Sequence, residues 1–218
     1  MNRIDNIFTK NKSVKNFAKQ YLEYVSDVIN NISLEEIESF INVLINARES
    51  GAAIYFIGNG GSAATASHFA NDIGIGTKSW EKPFRAQSLC DNQAIITAIA
   101  NDDGYENIFS YQLKVLLNKG DIVVAISASG NSPNLLSAID VAKQKGAFTV
   151  GLTAFDGGLL RKATDISVHV PTQLKEYGPA EDGHMVLDHL ISNYLMRYIR
   201  EQSKWRKGYT VLLWLAVL

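Results

Sequence analysis

The chain has 218 residues, of which 46% are hydrophobic and 20% are charged, a composition typical of a soluble globular protein. A formal net charge of −1 gives no basic surface that would indicate a nucleic-acid or membrane partner. The single cysteine excludes an intrachain disulfide, and the N-terminus lacks the apolar segment of a signal peptide. Both features favour a protein of the reducing cytoplasm.

The N-terminal part of the chain is predicted to be helical. Apolar residues recur at three- and four-residue spacing across residues 13–48, and Ser33 with Glu36 forms a capping box that opens a second helix. The apolar faces of the two helices are wide, so they bury against another subunit or pack on their own domain. We predict that residues 1–50 are a helical extension that serves oligomerisation.

Strand and helix patterns alternate from residue 52 onward. The predicted strands are 53–57, 84–88, 121–126, 147–152 and 165–170. The predicted helices are 61–73, 92–100, 106–118, 133–145 and 180–202. The strands are continuous apolar runs, as in a parallel sheet with helices on both faces. The predicted fold is therefore α/β, a doubly wound parallel sheet with a helical N-terminal extension.

Two loops of small residues follow the first and third predicted strands. The first loop is Gly58-Asn59-Gly60-Gly61-Ser62, and the second loop is Ser127-Ala128-Ser129-Gly130-Asn131-Ser132. Each precedes a predicted helix, so free backbone N–H groups and the helix dipole favour an anion there. The Gly-Lys-Ser/Thr of a nucleotide P-loop is absent. Ala63 stands where a dinucleotide-binding motif has its third glycine, and because alanine is allowed there, that motif is not excluded. Two loops with this many serines favour a phosphate monoester.

Histidines and carboxylates recur on two of the predicted helices. His68 and Asp72 are four residues apart on the helix after the first loop, and Glu181 and His189 are eight apart on the last helix. Such a set could hold a divalent metal such as zinc. Spacing of this kind often arises by chance, so by itself it favours an ordinary helix-surface or core histidine.

Three further polar segments have simpler interpretations. His184 and Asp188 are four residues apart and are interpreted as a surface pair, or as support for a metal ligand. The segment 101–104 is interpreted as a capping turn whose carboxylates could also meet a sugar hydroxyl. The segment 156–158 is interpreted as a turn that begins a helix.

Taken in this order, the motifs resemble the sugar isomerase (SIS) domain, and within it the phosphoheptose isomerase group. The resemblance spans about residues 15–200. It is carried by the first loop, His68-Phe69-Ala70, Asn101-Asp102, the second loop, Leu152-Thr153 with Asp156-Gly157-Gly158, and His189. The group interconverts sedoheptulose 7-phosphate and D-glycero-D-manno-heptose 7-phosphate. The resemblance implies a SIS domain over residues 51–203, built on a five-stranded parallel sheet. The apolar tail that follows, 204–218, is assigned no role.

The resemblance also implies an assembly, a cofactor and a set of site residues. Family members are typically homotetramers with active sites at subunit interfaces, and we expect one zinc ion per subunit. The implied substrate contacts are Asn59, Gly60, Gly61, Ser62, Asn101, Asp102 and Glu181, with the phosphate on Ser127, Ala128, Ser129 and Ser132. The implied metal ligands are His68, Asp72, Glu181 and His189. The implied catalytic residues, for a metal-assisted cis-enediol mechanism, are Glu181, His189 and Asp72.

Two positions depart from the family pattern. The family has glutamate where this chain has Asp72, and glutamine where it has Glu181. The shorter Asp72 retracts a carboxylate that is also an acid–base group, and misplacement on that scale can cost orders of magnitude in rate. Glu181 adds a carboxylate and could act as the base from the other side.

Three alternative functions stay open at this level. The chain could be a non-catalytic sugar-phosphate sensor or an adaptor to the bacterial replication initiator. It could also be an isomerase of another sugar phosphate in surface polysaccharide synthesis. A sensor or adaptor has no need to retain zinc, so metal content separates it from an enzyme.

Overall fold

The computed structural model describes residues 1–10 and 12–215, with side chains described as far as residue 202. The strands are β1 (Ala53–Gly58), β2 (Arg85–Ser88), β3 (Ile122–Ser127), β4 (Phe148–Ala154) and β5 (Ile166–Val170). The helices before β2 are α1 (Arg3–Lys10), α2 (Val14–Asn30), α3 (Leu34–Ser50) and α4 (Gly61–Asn71), and α4 continues into a π-helical turn, Asp72–Gly76. The later helices are α5 (Gln93–Asp102), α6 (Ser110–Leu116), α7 (Pro133–Gln144), α8 (Gly158–Ala163) and α9 (Tyr177–Leu215).

The five strands form one parallel sheet in the order β2-β1-β3-β4-β5. The predicted five-stranded α/β architecture is confirmed. The inner strands β1 and β3 are buried along their whole length, which explains why their sequences are continuously apolar. At their C-terminal ends Gly58 pairs with Ile126, so the first and second loops leave the sheet side by side. Loops at this edge of an open parallel sheet are where ligands bind.

Alternate side chains of each strand feed two separate cores, one on each face of the sheet. Ile54 and Phe56 of β1 pack with helices α1 to α4 and α9. Tyr55 and Ile57 point the other way and pack with the segment from α6 to α8. The sheet is therefore doubly wound, as the sequence predicts.

The N-terminal helices pack on their own domain. The face of α2 that includes Tyr24 and Val28 and the face of α3 that includes Phe40 and Leu44 are buried in the first of these cores. Other apolar side chains, among them Leu22 at 68% exposure, remain uncovered in the single chain. Packing on the domain therefore uses one face of each helix, and burial against another subunit, the other alternative, would have to use the exposed faces.

The predicted capping box at the start of α3 forms only in part. The Glu36 backbone N–H donates to Ser33 Oγ at 3.2 Å, so α3 begins where the sequence indicates. The Glu36 side chain does not return to the cap. It accepts from the His169 backbone N–H at 2.8 Å and pairs with Arg161 at 3.2 Å. This carboxylate ties α3 to the edge strand β5.

Glu176, just before α9, anchors the first helices. Its Oε1 accepts from the backbone N–H groups of Arg3 at 2.8 Å and Ile4 at 3.2 Å. Its Oε2 accepts from the Gln173 backbone N–H at 2.9 Å and from the Tyr24 hydroxyl. Because Glu176 is only 2% exposed, these four donors are what allow its charge to be buried.

Several element boundaries differ from the predictions. The helix predicted over 106–118 is a 3-10 turn, Tyr105–Asn107, followed by the shorter α6, and α1 was not predicted. Helix α9 continues past residue 203, so the backbone of the predicted apolar tail is helical to Leu215, whereas its side chains and residues 216–218 lie outside the described part. In the described chain, no helix combines the length and apolarity needed to cross a membrane.

Candidate active site

The first loop joins β1 to α4 in a tight turn that depends on its glycines. A Cβ on Gly58 would lie 2.4 Å from the Ser62 carbonyl oxygen, and Gly60 has a φ of 55°, which favours glycine. A Cβ on Gly61 would lie 2.3 Å from Oε2 of Glu181. The carboxylate of Glu181 on α9 therefore lies directly against the backbone of the first loop.

An amide pair connects the first loop to the start of α7. Asn59 Nδ2 donates to Asn134 Oδ1 at 3.0 Å, and Asn134 Nδ2 donates to Asn59 Oδ1 at 2.8 Å. The Tyr105 hydroxyl also donates to Asn59 Oδ1, at 3.0 Å. Tyr105 and Asn134 were missed by the sequence predictions, because isolated amide and phenol side chains outside the loops give no pattern. Together they hold Asn59, a predicted substrate contact, in place.

The second loop is shaped by its own serines. The hydroxyl of Ser127 accepts from the Gly130 backbone N–H at 3.0 Å, and that of Ser129 accepts from the Asn131 N–H at 3.4 Å. Ser132 occupies the N-cap of α7 but makes no capping bond with its side chain. Because Pro133, the first residue of α7, has no backbone N–H, the anion site predicted here depends mainly on the loop and on the helix dipole.

The turn after β4 packs directly against the second loop. A Cβ on Gly130 would lie 2.1 Å from the Gly157 carbonyl oxygen, and the Leu160 N–H donates to the Gly130 carbonyl at 2.8 Å. Asn131 Oδ1 accepts from the Leu159 N–H at 3.1 Å. The predicted turn at 156–158 does begin a helix, α8, and its glycines permit this close approach.

A second group of polar side chains lies where α4 meets α9. His68 Nε2 is 3.3 Å from His189 Nε2, 3.5 Å from Asp72 Oδ2 and 3.8 Å from Asp188 Oδ2. One nitrogen or oxygen from each of these four residues lies within 4.8 Å of the others. Asp72 begins the π-helical turn, a distortion common at functional sites, and its side chain is 25% exposed. We call His68, Asp72, Asp188 and His189 the His/Asp group.

For Asp188, the interpretation as part of a surface pair is wrong, whereas the alternative, support for a metal ligand, stays a prediction. Both His184 and Asp188 are 0% exposed, so they are not a surface pair. They lie on the stripe of α9 that faces the core with Ala180, Ile191 and Leu195, at helical spacing, and this stripe is the signal that could have identified their burial. His184 Nε2 donates to the Thr153 carbonyl oxygen at 3.3 Å, and burial lowers its pKa from 6.5 to about 4.

Neither carboxylate oxygen of Asp188 has a hydrogen-bond partner among the described residues. Burial, and secondarily the charge of Asp72, raises the pKa of Asp188 from 3.8 to about 7. Two imidazole nitrogens and two carboxylate oxygens suit a first-row divalent cation, and such an ion would satisfy the oxygens of Asp188. The His/Asp group could therefore hold a metal.

The other predicted site residues lie nearby or in different surroundings. Glu181 lies outside the His/Asp group, against Gly61. Ser62 and Ala128 are buried. Asn101 and Asp102 are exposed at the end of α5, where Asn101 Nδ2 donates to Asp102 Oδ1 at 2.7 Å. Tyr105 connects the segment that follows α5 to the first loop.

Comparison with known proteins gives consistent results. The family model described as SIS domain matches residues 17–154. The chain is 34% identical over 168 residues to a phosphoheptose isomerase from Citrifermentans bemidjiense, covering 77% of this chain and 86% of the relative. It is 40% identical over 153 residues to a phosphoheptose isomerase from Trichlorobacter lovleyi, covering 70% of this chain and 76% of the relative.

Solved structures agree at the level of the fold. The structure of a phosphoheptose isomerase from Neisseria gonorrhoeae superposes with a TM-score of 0.73 and 27% identity, covering 83% of this chain and 97% of that chain. The structure of a phosphoheptose isomerase from Francisella tularensis has a TM-score of 0.75 at 24% identity, covering 85% of this chain and 99% of that chain.

Proposed function

Because the chain belongs to the phosphoheptose isomerase group of the SIS domain family, we propose that it interconverts sedoheptulose 7-phosphate and D-glycero-D-manno-heptose 7-phosphate. Its class of activity is aldose–ketose isomerisation. The observation that carries the proposal is the course of α4. This helix begins in the first loop at Gly61, beside Glu181, bears His68 of the His/Asp group and leads directly into the π-helical turn that starts at Asp72.

The second loop is the proposed phosphate site. Ser127, Ser129 and Ser132 supply hydroxyl groups, and the backbone at Ala128 contributes to the same loop. The N-terminus of α7 adds the positive end of a helix dipole. A phosphate fixed here sets the distance of every sugar carbon from the first loop.

The first loop is the proposed sugar site. Asn59 is held by Asn134 and Tyr105, and Gly60, Gly61 and Ser62 present backbone groups at the start of α4. Asn101 and Asp102, at the end of α5, are the proposed partners of further sugar hydroxyls. Their exposure leaves both side chains free to turn toward a substrate.

The proposed reaction moves protons between the first two carbons through a cis-enediol. In the ketose-to-aldose direction, Glu181 takes the proton from C1, and the carbonyl oxygen at C2 becomes a hydroxyl. The proton is then returned to C2, while the hydroxyl at C1 loses its proton and becomes the aldehyde. His189 relays the proton between the two oxygens. We favour Glu181 over Asp72 as the base because its carboxylate lies against Gly61, in the sugar site.

A divalent metal, with zinc as the first candidate, completes the proposed site at one ion per subunit. Of the four predicted ligands, His68, Asp72 and His189 belong to the His/Asp group. Such an ion would act as a Lewis acid and would stabilise negative charge that develops on the substrate. We further propose a cytoplasmic homotetramer with neither nucleic acid nor membrane as a partner.

Turnover of sedoheptulose 7-phosphate, followed by NMR in deuterated water, tests the proposal. We expect the heptose product to carry deuterium at C2, because a proton held by a carboxylate exchanges with solvent. His189→Ala should abolish turnover, whereas His169→Gln, which changes a histidine on β5, should keep it. A folded wild-type protein that does not convert this substrate would contradict the proposed reaction. Retained metal would then point to another sugar phosphate, and absent metal to a sensor or adaptor.

A further inference from the structure

Asp188 occupies a position that an unassisted carboxylate rarely tolerates. Its side chain is 0% exposed, and neither oxygen has a hydrogen-bond partner in the described part of the chain. A buried ionised carboxylate without hydrogen bonds costs several kcal/mol, and native proteins seldom keep one without a specific role. The described residues supply no hydrogen-bond donor to this carboxylate, so the observation points to a bound cation as its partner.

The atoms that face Asp188 are metal-binding atoms. Its Oδ2 is 3.8 Å from His68 Nε2, and His189, the next residue on α9, brings its own Nε2 to 3.3 Å from the same nitrogen. Asp72, at the start of the π-helical turn after α4, completes the set with an oxygen 3.5 Å from His68 Nε2. These separations are close to the distance between neighbouring ligands around one zinc ion, given Zn–N and Zn–O bonds of about 2.0–2.2 Å.

Glu181 is in a different place. It lies seven residues before Asp188 on the same helix, which separates the two backbones by roughly 10 Å along the helix axis. All three atoms of its carboxyl group would lie 2.3–2.5 Å from a Cβ on Gly61, so the group faces the first loop. The carboxylate predicted as a metal ligand therefore lies at the proposed sugar site, and a carboxylate predicted as a surface residue lies in the His/Asp group.

We propose that Asp188, rather than Glu181, is the fourth metal ligand of this chain, so that the ion is held by His68, Asp72, Asp188 and His189. The two aspartates then balance the charge of a divalent cation, and the second carboxylate offsets the shorter reach of Asp72. Glu181 is left free to exchange protons with the substrate. Only this last point rests on the proposed function, because the ligand set itself stands on the geometry of the His/Asp group.

The test is zinc affinity, measured on the full chain without sugar by competition with a chelator. Asp188→Asn should weaken zinc binding by at least 10- to 100-fold, the loss expected when even a supporting partner of a ligand is removed. Glu181→Ala, which removes every donor atom of the other carboxylate, should bind zinc within about threefold of the wild type. Zinc should raise the melting temperature of the wild type and of Glu181→Ala, and not that of Asp188→Asn.

The metal-free proteins and a second variant serve as controls for misfolding. Asp188→Leu removes the buried charge and keeps the branched shape and the number of non-hydrogen atoms, so it should fold without metal at least as stably as the wild type and still bind zinc poorly. Wild-type zinc affinity in both Asp188 variants would overturn the proposal, as would loss of affinity in Glu181→Ala. Glu181→Ala should lose turnover while it keeps zinc. A wild type that binds zinc through Asp188 but converts no sugar would contradict the proposed function and leave the ligand set intact.

Discussion

Single residues determine where the reacting carboxylate lies. Gly61 is at the first position of α4, and only the absence of its side chain lets the Glu181 carboxylate approach the loop. His184, one turn along α9, is instead held by the Thr153 carbonyl in the core. One turn of α9 thus places Glu181 at the first loop, and the next turn places His184 in the core.

Gly61→Ala should disable the site without unfolding the protein. The new methyl group would meet only the end of a flexible side chain, 2.3 Å away, so Glu181 would move and α4 would persist. A displacement of about 1 Å can reduce turnover roughly 100-fold. We expect that loss with a nearly unchanged melting temperature. Gly74→Ala, whose Cβ would meet its nearest neighbour at an ordinary 3.5 Å, is the control and should leave the rate within a few-fold.

His184 should make the fold sensitive to acid. Because its pKa falls from 6.5 to about 4 on folding, His184 is protonated in the unfolded chain and neutral in the folded chain between these two pH values. Stability from this residue is complete above pH 6.5 and is lost as the pH falls towards 4, by up to about 3 kcal/mol. Urea unfolding of His184→Gln should show a correspondingly flatter pH dependence than the wild type. Parallel curves for the two proteins would exclude His184 as the cause.

At the scale of elements, the sequence predicts what short-range patterns control. Continuous apolar runs identify β1 and β3, and Ser33 marks the start of α3, because these depend on neighbouring residues. The placement of Glu36 on β5 and of Asp188 beside His68 depends on how distant helices pack, which local spacing does not encode. The loops were therefore identified from sequence, whereas the fourth member of the His/Asp group was not.

Glu176→Gln should loosen α1 and α2 while it leaves the sheet intact. Four donors now bond to the two oxygens of the Glu176 carboxylate. In glutamine one of these oxygens becomes an NH2 group, which cannot accept from them, so charge-assisted bonds of about 1.5–3 kcal/mol each would be lost. We expect a destabilisation of about 3 kcal/mol and faster hydrogen exchange in α1. Asp27→Asn removes the exposed Arg3–Asp27 pair, whose side chains are 50% and 60% exposed, and should cost less than about 1 kcal/mol. Equal effects of the two changes would contradict the anchoring role of Glu176.

At the scale of the whole molecule, topology brings the parts of the site together. The order β2-β1-β3-β4-β5 places β1 beside β3, so two loops about 70 residues apart in sequence leave the same edge. Helix α9 crosses this edge and carries Glu181 to the first loop and Asp188 with His189 to α4. The proposed isomerase site and the His/Asp group thus both depend on α4 and α9.

The most direct measurement is turnover of sedoheptulose 7-phosphate as a function of bound zinc, in protein first stripped with a chelator. We predict that the stripped protein is inactive and that turnover returns in proportion to zinc, up to one ion per chain. Full turnover by the stripped protein would contradict the account of a metal-assisted isomerase.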